Sequence, residues 1–269
     1  MSNQHKHSDA APTAIVTGAN RGIGFGVVRQ LADRGYRVIL AARDENRGRT
    51  AAGEIDAAAD QLEVRQLDVA SEQSIAEFAR GLDDDKKSID VLVNNAGVAI
   101  EGFDATVARR TMDTNFYGPV RLTDAVLPFM PEGARVVMVS SGAGTLSILS
   151  PELQRLFTAE DLTREKLFAL VEQFVDDVAQ GRHSEEGWPS SCYGVSKAAL
   201  NAFVRISAPK LAEQGVAINA VGPGWVRTDM GGQNASRSIE EGAASVVHGV
   251  LIDPEETGGF YRDGRRIPW

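Results

Sequence analysis

Thr13-Ala14-Ile15-Val16-Thr17-Gly18-Ala19-Asn20-Arg21-Gly22-Ile23-Gly24 is the stretch that decides the fold. Residues 14–17 are a short apolar, β-branched run of the kind that forms a buried strand. Three glycines follow at the spacing Gly-x-x-x-Gly-x-Gly, and residues 25–34 then read as a helix that Gly35 stops. Glycine lets a backbone come close to a pyrophosphate, and the start of a helix offers free N–H groups to hold one. The spacing is not Gly-x-Gly-x-x-Gly, and a tight strand-to-helix turn also uses glycine for purely steric reasons.

Outward from that turn, short apolar runs alternate with longer amphipathic ones. Strands are expected at 37–41, 62–67, 90–94, 135–140 and 216–221, with a short last one at 259–261. Alternation of this kind implies an α/β fold. The expectation is a doubly wound, Rossmann-type, mostly parallel seven-stranded sheet with helices on both faces. One segment breaks the rhythm. Leu167, Leu170, Val171, Phe174, Val175 and Val178 fall at i, i+3, i+4, i+7, i+8 and i+11, one apolar stripe of a helix. Thr163 is placed to cap its start and Gly181 to end it. A helical insertion is therefore expected at about 146–187.

The chain has 269 residues, a length that suits one core and so one domain, expected over 13–269. Hydrophobic residues are 43% and charged residues 24%, which argues against global disorder. Lys plus Arg number 28 against 37 Asp plus Glu, a net charge of −9. Such a chain lacks the broad positive field that binds nucleic acid or an anionic membrane. The one cysteine, Cys192, permits no intrachain disulfide. His5, His7, His183 and His248 stand at no metal-ligand spacing with it, so no metal site is expected. No apolar run reaches the roughly 18 residues of a membrane span. Residues 1–12 are polar and read as a disordered tail, and the compartment expected is the cytoplasm.

Two clusters carry chemistry. The second strand ends in Ala41-Ala42-Arg43 rather than in an acid, and Asp44 comes only after the arginine. An acid at that place holds the ribose 2′-hydroxyl of NAD. Arg43, with Arg21 from the glycine turn, instead suits a 2′-phosphate through charge-assisted hydrogen bonds, so NADP(H) is the cofactor expected. A solvated loop arginine is the plainer alternative for Arg43. The second cluster is Tyr193-Gly194-Val195-Ser196-Lys197. Spacing of i, i+4 on a helix sets phenol and ammonium on one face, and the ammonium favours the phenolate. Such pairs are also common on solvated helix faces. The company is what singles this one out: Asn94-Asn95-Ala96-Gly97 after the fourth strand, Ser140-Ser141-Gly142 after the fifth, Pro223-Gly224 after the sixth, and Asn115.

Taken together, Thr17-Gly18-x-x-x-Gly22-x-Gly24, Asn94-Asn95-Ala96-Gly97, Asn115, Ser141, Tyr193-x-x-x-Lys197 and Pro223-Gly224 resemble the short-chain dehydrogenase/reductase family. The long separation of Ser141 from Tyr193, and the runs 150–154, 186–191 and 223–230, resemble its monomeric carbonyl reductases. The resemblance implies reduction of ketones, aldehydes or quinones by NADPH. Tyr193 would donate the proton, Ser141 would hydrogen-bond the carbonyl oxygen, Lys197 would hold the ribose and lower the tyrosine pKa, and Asn115 would hold a water leading to solvent. Gly18, Asn20, Arg21, Gly22, Ile23, Gly24, Arg43, Asp68, Val69, Asn95, Ala96, Gly97, Pro223, Gly224, Trp225, Val226 and Thr228 would line the cofactor along with Tyr193 and Lys197. Asp68 is expected at the adenine. Trp188, Trp225 and Met230 are candidate substrate walls, and the two tryptophans are equally candidates for the core. The resemblance also implies a monomer, because the insertion covers a helical face through which other members associate. The run Asn219-Ala220-Val221-Gly222 before Pro223 has no cysteine, which departs from some carbonyl reductases that carry one there. Cys192 reads as a modifiable thiol or a small helix-start residue. Two other functions stay open: an NADP-binding sensor without turnover, and oxidation of an alcohol by the same residues.

Overall fold

The computed structural model describes residues 11–58 and 60–269. The expectation of a disordered tail therefore lies, for residues 1–10, outside the described residues. Eight strands form one sheet in the order β3-β2-β1-β4-β5-β6-β7-β8. They are β1 (Thr13–Thr17), β2 (Arg37–Ala42), β3 (Leu62–Gln66), β4 (Val91–Asn94), β5 (Arg135–Val139), β6 (Ala217–Val221), β7 (Phe260–Arg262) and β8 (Arg265–Arg266). All neighbours are parallel except β7 and β8, which pair antiparallel.

The eighth strand corrects the expectation of seven. Asp263 and Gly264 both have positive φ, 51° and 73°, and turn the chain straight back on itself. That is the demand of a two-residue hairpin, which Asp-Gly meets well. The dipeptide was the available signal; two exposed arginines gave no alternation to go with it.

The strands are apolar along their whole length because helices cover both faces. Ile15, Ile39, Leu92, Val136 and Ile218 join one core layer. Their neighbours Ala14, Val16, Val38, Leu40, Val91, Val93 and Val137 join the other. Helices α1 (Gly22–Ala32), α2 (Glu45–Gly53) and α9 (Ile239–Leu251) lie on the second side. Helices α3 (Glu72–Asp84), α4 (Ala105–Met112), α5 (Gly118–Val126), α6 (Pro151–Thr158), α7 (Arg164–Ala179) and α8 (Cys192–Ala212) lie on the first. Strand order reverses between β1 and β4, and in open α/β sheets the crevice at that switch point, beyond the carboxyl ends, is where ligands bind.

The inserted helices follow the sequence pattern closely. Thr163 caps α7 by accepting the N–H of Lys166, and Gly181 follows its end with φ 72°. Leu167, Val171, Phe174, Val175 and Val178 are buried in the layer that also holds α4 and α8, and Leu170 is partly buried there.

Candidate active site

β1 runs between β2 and β4, with Val16 opposite both Leu40 and Val93, and delivers Thr17 and Gly18 to the switch point. Gly18 has φ 62°, and a Cβ there would stand 2.9 Å from Ala96 Cα. At Gly24 a Cβ would stand 2.5 Å from Asn95 Nδ2 and 2.7 Å from the Gly18 carbonyl oxygen. The glycines thus let the first turn press against the loop that follows β4. Thr17 clasps the two: its Oγ1 accepts the N–H groups of Asn95 (3.0 Å) and Ala96 (2.9 Å). Asn95 Nδ2 donates back to the Thr17 carbonyl at 2.8 Å. This role of Thr17 was not read from the sequence, where it counted as the last strand residue and the first of the glycine motif.

Helix α1 opens beside this turn. Its N-cap, Arg21, is extended and makes no side-chain capping bond. The N–H groups of the first turn, which includes Ile23, and the positive end of the helix dipole are left for an anion. Arg43 lies exposed just past β2 and has no ion pair among the described residues. Asp44 is committed elsewhere, accepting the Arg47 N–H at 3.1 Å as the cap of α2. Arg21, also exposed, pairs with Asp229 across the turn. After β3, Asp68 is half-buried and accepts the Ala70 N–H at 3.0 Å, while Val69 is buried.

The second half of the site is built on α8. Ser191 caps it by accepting the Gly194 N–H at 3.1 Å. Tyr193 and Lys197 follow one turn apart, with Lys197 Nζ 5.6 Å from the centre of the phenol ring. Lys197 is only 4% exposed and donates to the Val139 carbonyl at the end of β5 at 2.7 Å. Ser141 begins the next turn, where its Oγ accepts the Ala143 N–H at 3.1 Å. A Cβ on Gly144 would stand 2.6 Å from the carbonyl carbon of Lys197, so glycine there lets the serine loop rest on α8.

Asn115 sits in a single π-helical turn, Asp113–Tyr117, that joins α4 to α5. It is fully buried. Val98 N–H donates to its Oδ1 at 2.8 Å, and its Nδ2 donates to the Val98 carbonyl (2.8 Å) and Ser196 Oγ (3.1 Å). Both N–H donors of the amide are spent, so a water at this residue would have to donate to an oxygen. Gly97 closes the group, since a Cβ there would lie 3.3 Å from Asn115 Oδ1 and 3.8 Å from Lys197 Nζ. One short region thus brings together Gly97, Asn115, Lys197 and, through it, Tyr193 and Ser141.

The ionisation of this group differs from the expectation. Burial pushes the Tyr193 phenol above its ordinary range, and the Ser141 hydroxyl draws it only part of the way back. Burial pushes Lys197 down to about 8. Loss of water outweighs the pairing because the ammonium faces the Val139 carbonyl and the ring face rather than sitting in solvent beside the hydroxyl. At neutral pH the phenol keeps its proton. The Cys192 thiol is buried, and burial pushes it up to about 11, which leaves it an unreactive helix-start residue.

The segment after β6 completes the cleft. Gly224 has φ 83°. Val226 is buried and bridges to Arg237, and Thr228 reaches toward Gly22, its methyl 3.3 Å from where a Cβ there would stand. Trp225 is 57% exposed, its indole N–H held by the Gly231 carbonyl at 2.9 Å, and Met230 is 50% exposed. Both stand free at the rim. Trp188 does not: it is 3% exposed, its ring packs edge-on against Phe157 and Phe174, and its N–H donates to buried Asp177 at 3.0 Å. Its placement as a substrate wall is corrected to a core residue of the insertion.

Two family profiles match the chain. The one described as short chain dehydrogenase covers residues 12–150, and the one described as Enoyl-(Acyl carrier protein) reductase covers 180–261. The chain belongs to the short-chain dehydrogenase family. Within it, the chain is similar to Carbonyl reductase (NADPH) 1 of Mus musculus, 42% identical over 276 residues, 97% of this chain and 100% of that one. The Homo sapiens protein of the same name is 42% identical over 262 residues, 93% of this chain and 95% of that one. Among solved structures, salutaridine reductase from Papaver somniferum superposes with a TM-score of 0.87 at 27% identity, covering 93% of this chain and 99% of that one. Menthone neomenthol reductase from Mentha piperita gives 0.82 at 31% identity, covering 93% and 98%.

Proposed function

We propose that this chain is an NADPH-dependent carbonyl reductase acting on ketones, aldehydes or quinones. The observation that carries the reading is half-buried Tyr193 one helical turn from buried Lys197, beside Ser141, in the cleft that the glycine turn opens. The relatives named above carry the same activity in their names.

The residues suit the dinucleotide. The uncapped start of α1 and the glycines at 18 and 24 fit a pyrophosphate, and unpaired Arg43 fits a 2′-phosphate. Asn20, Asn95, Ala96, Pro223, Gly224, Val226 and Thr228 are the further residues that would line the dinucleotide. NADPH, when bound, supplies the hydride. Tyr193 gives its proton to the carbonyl oxygen, and Ser141 donates a second hydrogen bond to that oxygen, so charge developing there meets two donors. Lys197 holds the ribose, and Asn115 lies where a water can return a proton to the pair. Retention of Tyr193, Lys197, Ser141 and Asn115 disfavours a sensor without turnover. Trp225 and Met230, exposed at the rim, are the candidate substrate walls.

We also propose that residues 13–269 act as one domain and that the protein is a cytoplasmic monomer. The insertion buries its stripe against its own chain, and no helix among the described residues is long and apolar enough to cross a membrane. The test is NADPH and NADH consumption by the purified chain with a panel of ketones, aldehydes and quinones. NADPH is expected to be preferred, and Arg43→Ala is expected to shrink that preference by about 10- to 150-fold, the worth of a charged hydrogen bond of roughly 1.5–3 kcal/mol. Equal use of both cofactors, unmoved by the substitution, contradicts the reading.

A further inference from the structure

Arg262 is a cation that the mechanism above does not use. It ends β7, next to β6, and so lies at the same carboxyl edge of the sheet as Ser141 and Pro223. Strand alternation puts it on the face of Phe260, opposite Tyr261. Phe260 belongs to the core layer that contains α8, whereas Tyr261 belongs to the other. Arg262 is therefore on the side of the sheet that carries Tyr193 and Lys197. Its guanidinium crosses the end of β6: Nη2 is 3.7 Å from where a Cβ on Gly222 would stand and 2.9 Å from where one on Gly142 would stand. Gly142 is the residue after Ser141.

Among the described residues this guanidinium has no hydrogen-bond acceptor. It makes no ion pair among the described residues, and its Nε is buried without an acceptor. The adjacent carboxylate, Asp263, is taken by Arg237 at 2.7 and 3.2 Å. A half-buried fork of N–H donors without an acceptor, beside the serine that faces the reacting carbonyl, matches a carboxylate in shape and charge. Glycine at 142 lets the guanidinium come against the serine loop, where a side chain would meet it.

We propose that Arg262 is a specificity-determining residue that binds a carboxylate close to the reacting carbonyl, so that 2-oxo acids and similar carbonyl acids form a favoured substrate class. The inference rests on the carbonyl reductase reading. In that reaction a 2-oxo acid and NADPH give a 2-hydroxy acid and NADP⁺: hydride goes to the carbonyl carbon, and the proton on Tyr193 goes to the oxygen and is replaced from water. The carboxylate is unchanged and serves as the handle.

The experiment compares phenylglyoxylate with its methyl ester, and wild type with Arg262→Met. In wild type the acid is expected to have the higher kcat/KM. In the variant the acid-to-ester ratio is expected to fall at least tenfold, with Arg262→Lys between the two. A ratio that Arg262→Met leaves unchanged overturns the proposal, including the case where both substrates slow equally because the serine loop has moved. A second measurement needs no turnover and no variant: calorimetric titration of the NADP⁺-loaded chain with benzoate and with benzamide. Benzoate is expected to bind at least tenfold tighter, and equal affinities overturn the subsite. Wild type that consumes NADPH with no ketone, aldehyde or quinone of the panel refutes the carbonyl reductase reading instead, and the titration then decides the anion site alone.

Discussion

Lys197 holds its ammonium almost out of reach of water, with the Val139 carbonyl as its hydrogen-bond partner. An ordinary lysine loses its proton near 10.5, and burial brings this one to about 8. Below pH 8 both folded and unfolded chains carry the proton, so the folded state bears the full cost of a buried charge, on the order of 3 kcal/mol. As pH rises from 8 toward 10.5, the folded protein releases that proton first. The unfolded chain then binds more protons, and the contribution to stability rises with pH. Lys197→Met is therefore expected to stabilise the chain by about 1–3 kcal/mol at pH 7, part of the gain being offset by the orphaned Val139 carbonyl. The gain is expected to shrink toward pH 10.5 while reductase activity is lost at every pH. Urea unfolding of both proteins at pH 7 and pH 10 measures this, and a less stable variant at pH 7 contradicts it. The spacing that places Tyr193 and Lys197 on one face was legible in the sequence. Their ionisation was not, because it depends on Val139 and on the depth of burial, both products of tertiary packing.

The insertion shows the same division at the scale of an element. The stripe on α7, its cap at Thr163 and its stop at Gly181 were all legible, since each follows from local chemistry. What holds α7 down was not, because the partners come from elsewhere in the chain. Arg109 of α4 meets Glu172 with two bonds of 2.8 and 2.6 Å, and the Tyr117 hydroxyl donates to the same carboxylate at 2.5 Å. At the far end of α7, Asp177 is fully buried and takes bonds from the Trp188 indole and Arg182 (2.6 Å). The indole N–H explains why Trp188 belongs to the core: a buried tryptophan needs an acceptor, and Asp177 supplies one. Asp177→Ala leaves that donor unpaired and is expected to cost about 2–3 kcal/mol. Thermal and urea unfolding check this, and a loss under 0.5 kcal/mol shows that the contact does not hold the insertion.

Across the whole molecule, the doubly wound order was legible because apolar strands and amphipathic helices alternate along the chain. The eighth strand escaped because two exposed arginines carry no periodic signal. The self-association state belongs to this scale. The apolar stripe of α7 is buried within its own chain, leaving a polar, ion-paired outer side at Arg109–Glu172 and Arg164–Asp124. A monomer is expected, carrying a net charge of −9 that disfavours close approach of copies. Solution scattering at rising concentration measures it, and a two-fold dimer through α7 contradicts it.

The claim on which the functional account turns is that Tyr193 delivers the proton. Rapid mixing of the NADPH-loaded chain with a reactive quinone or ketone, wild type against Tyr193→Phe, tests it in a single turnover. General acid catalysis is worth about 10²–10⁴-fold. Hydride transfer is expected to slow at least a hundredfold in the variant, with NADPH affinity within threefold of wild type. Hydride transfer at the wild-type rate without the hydroxyl would contradict it.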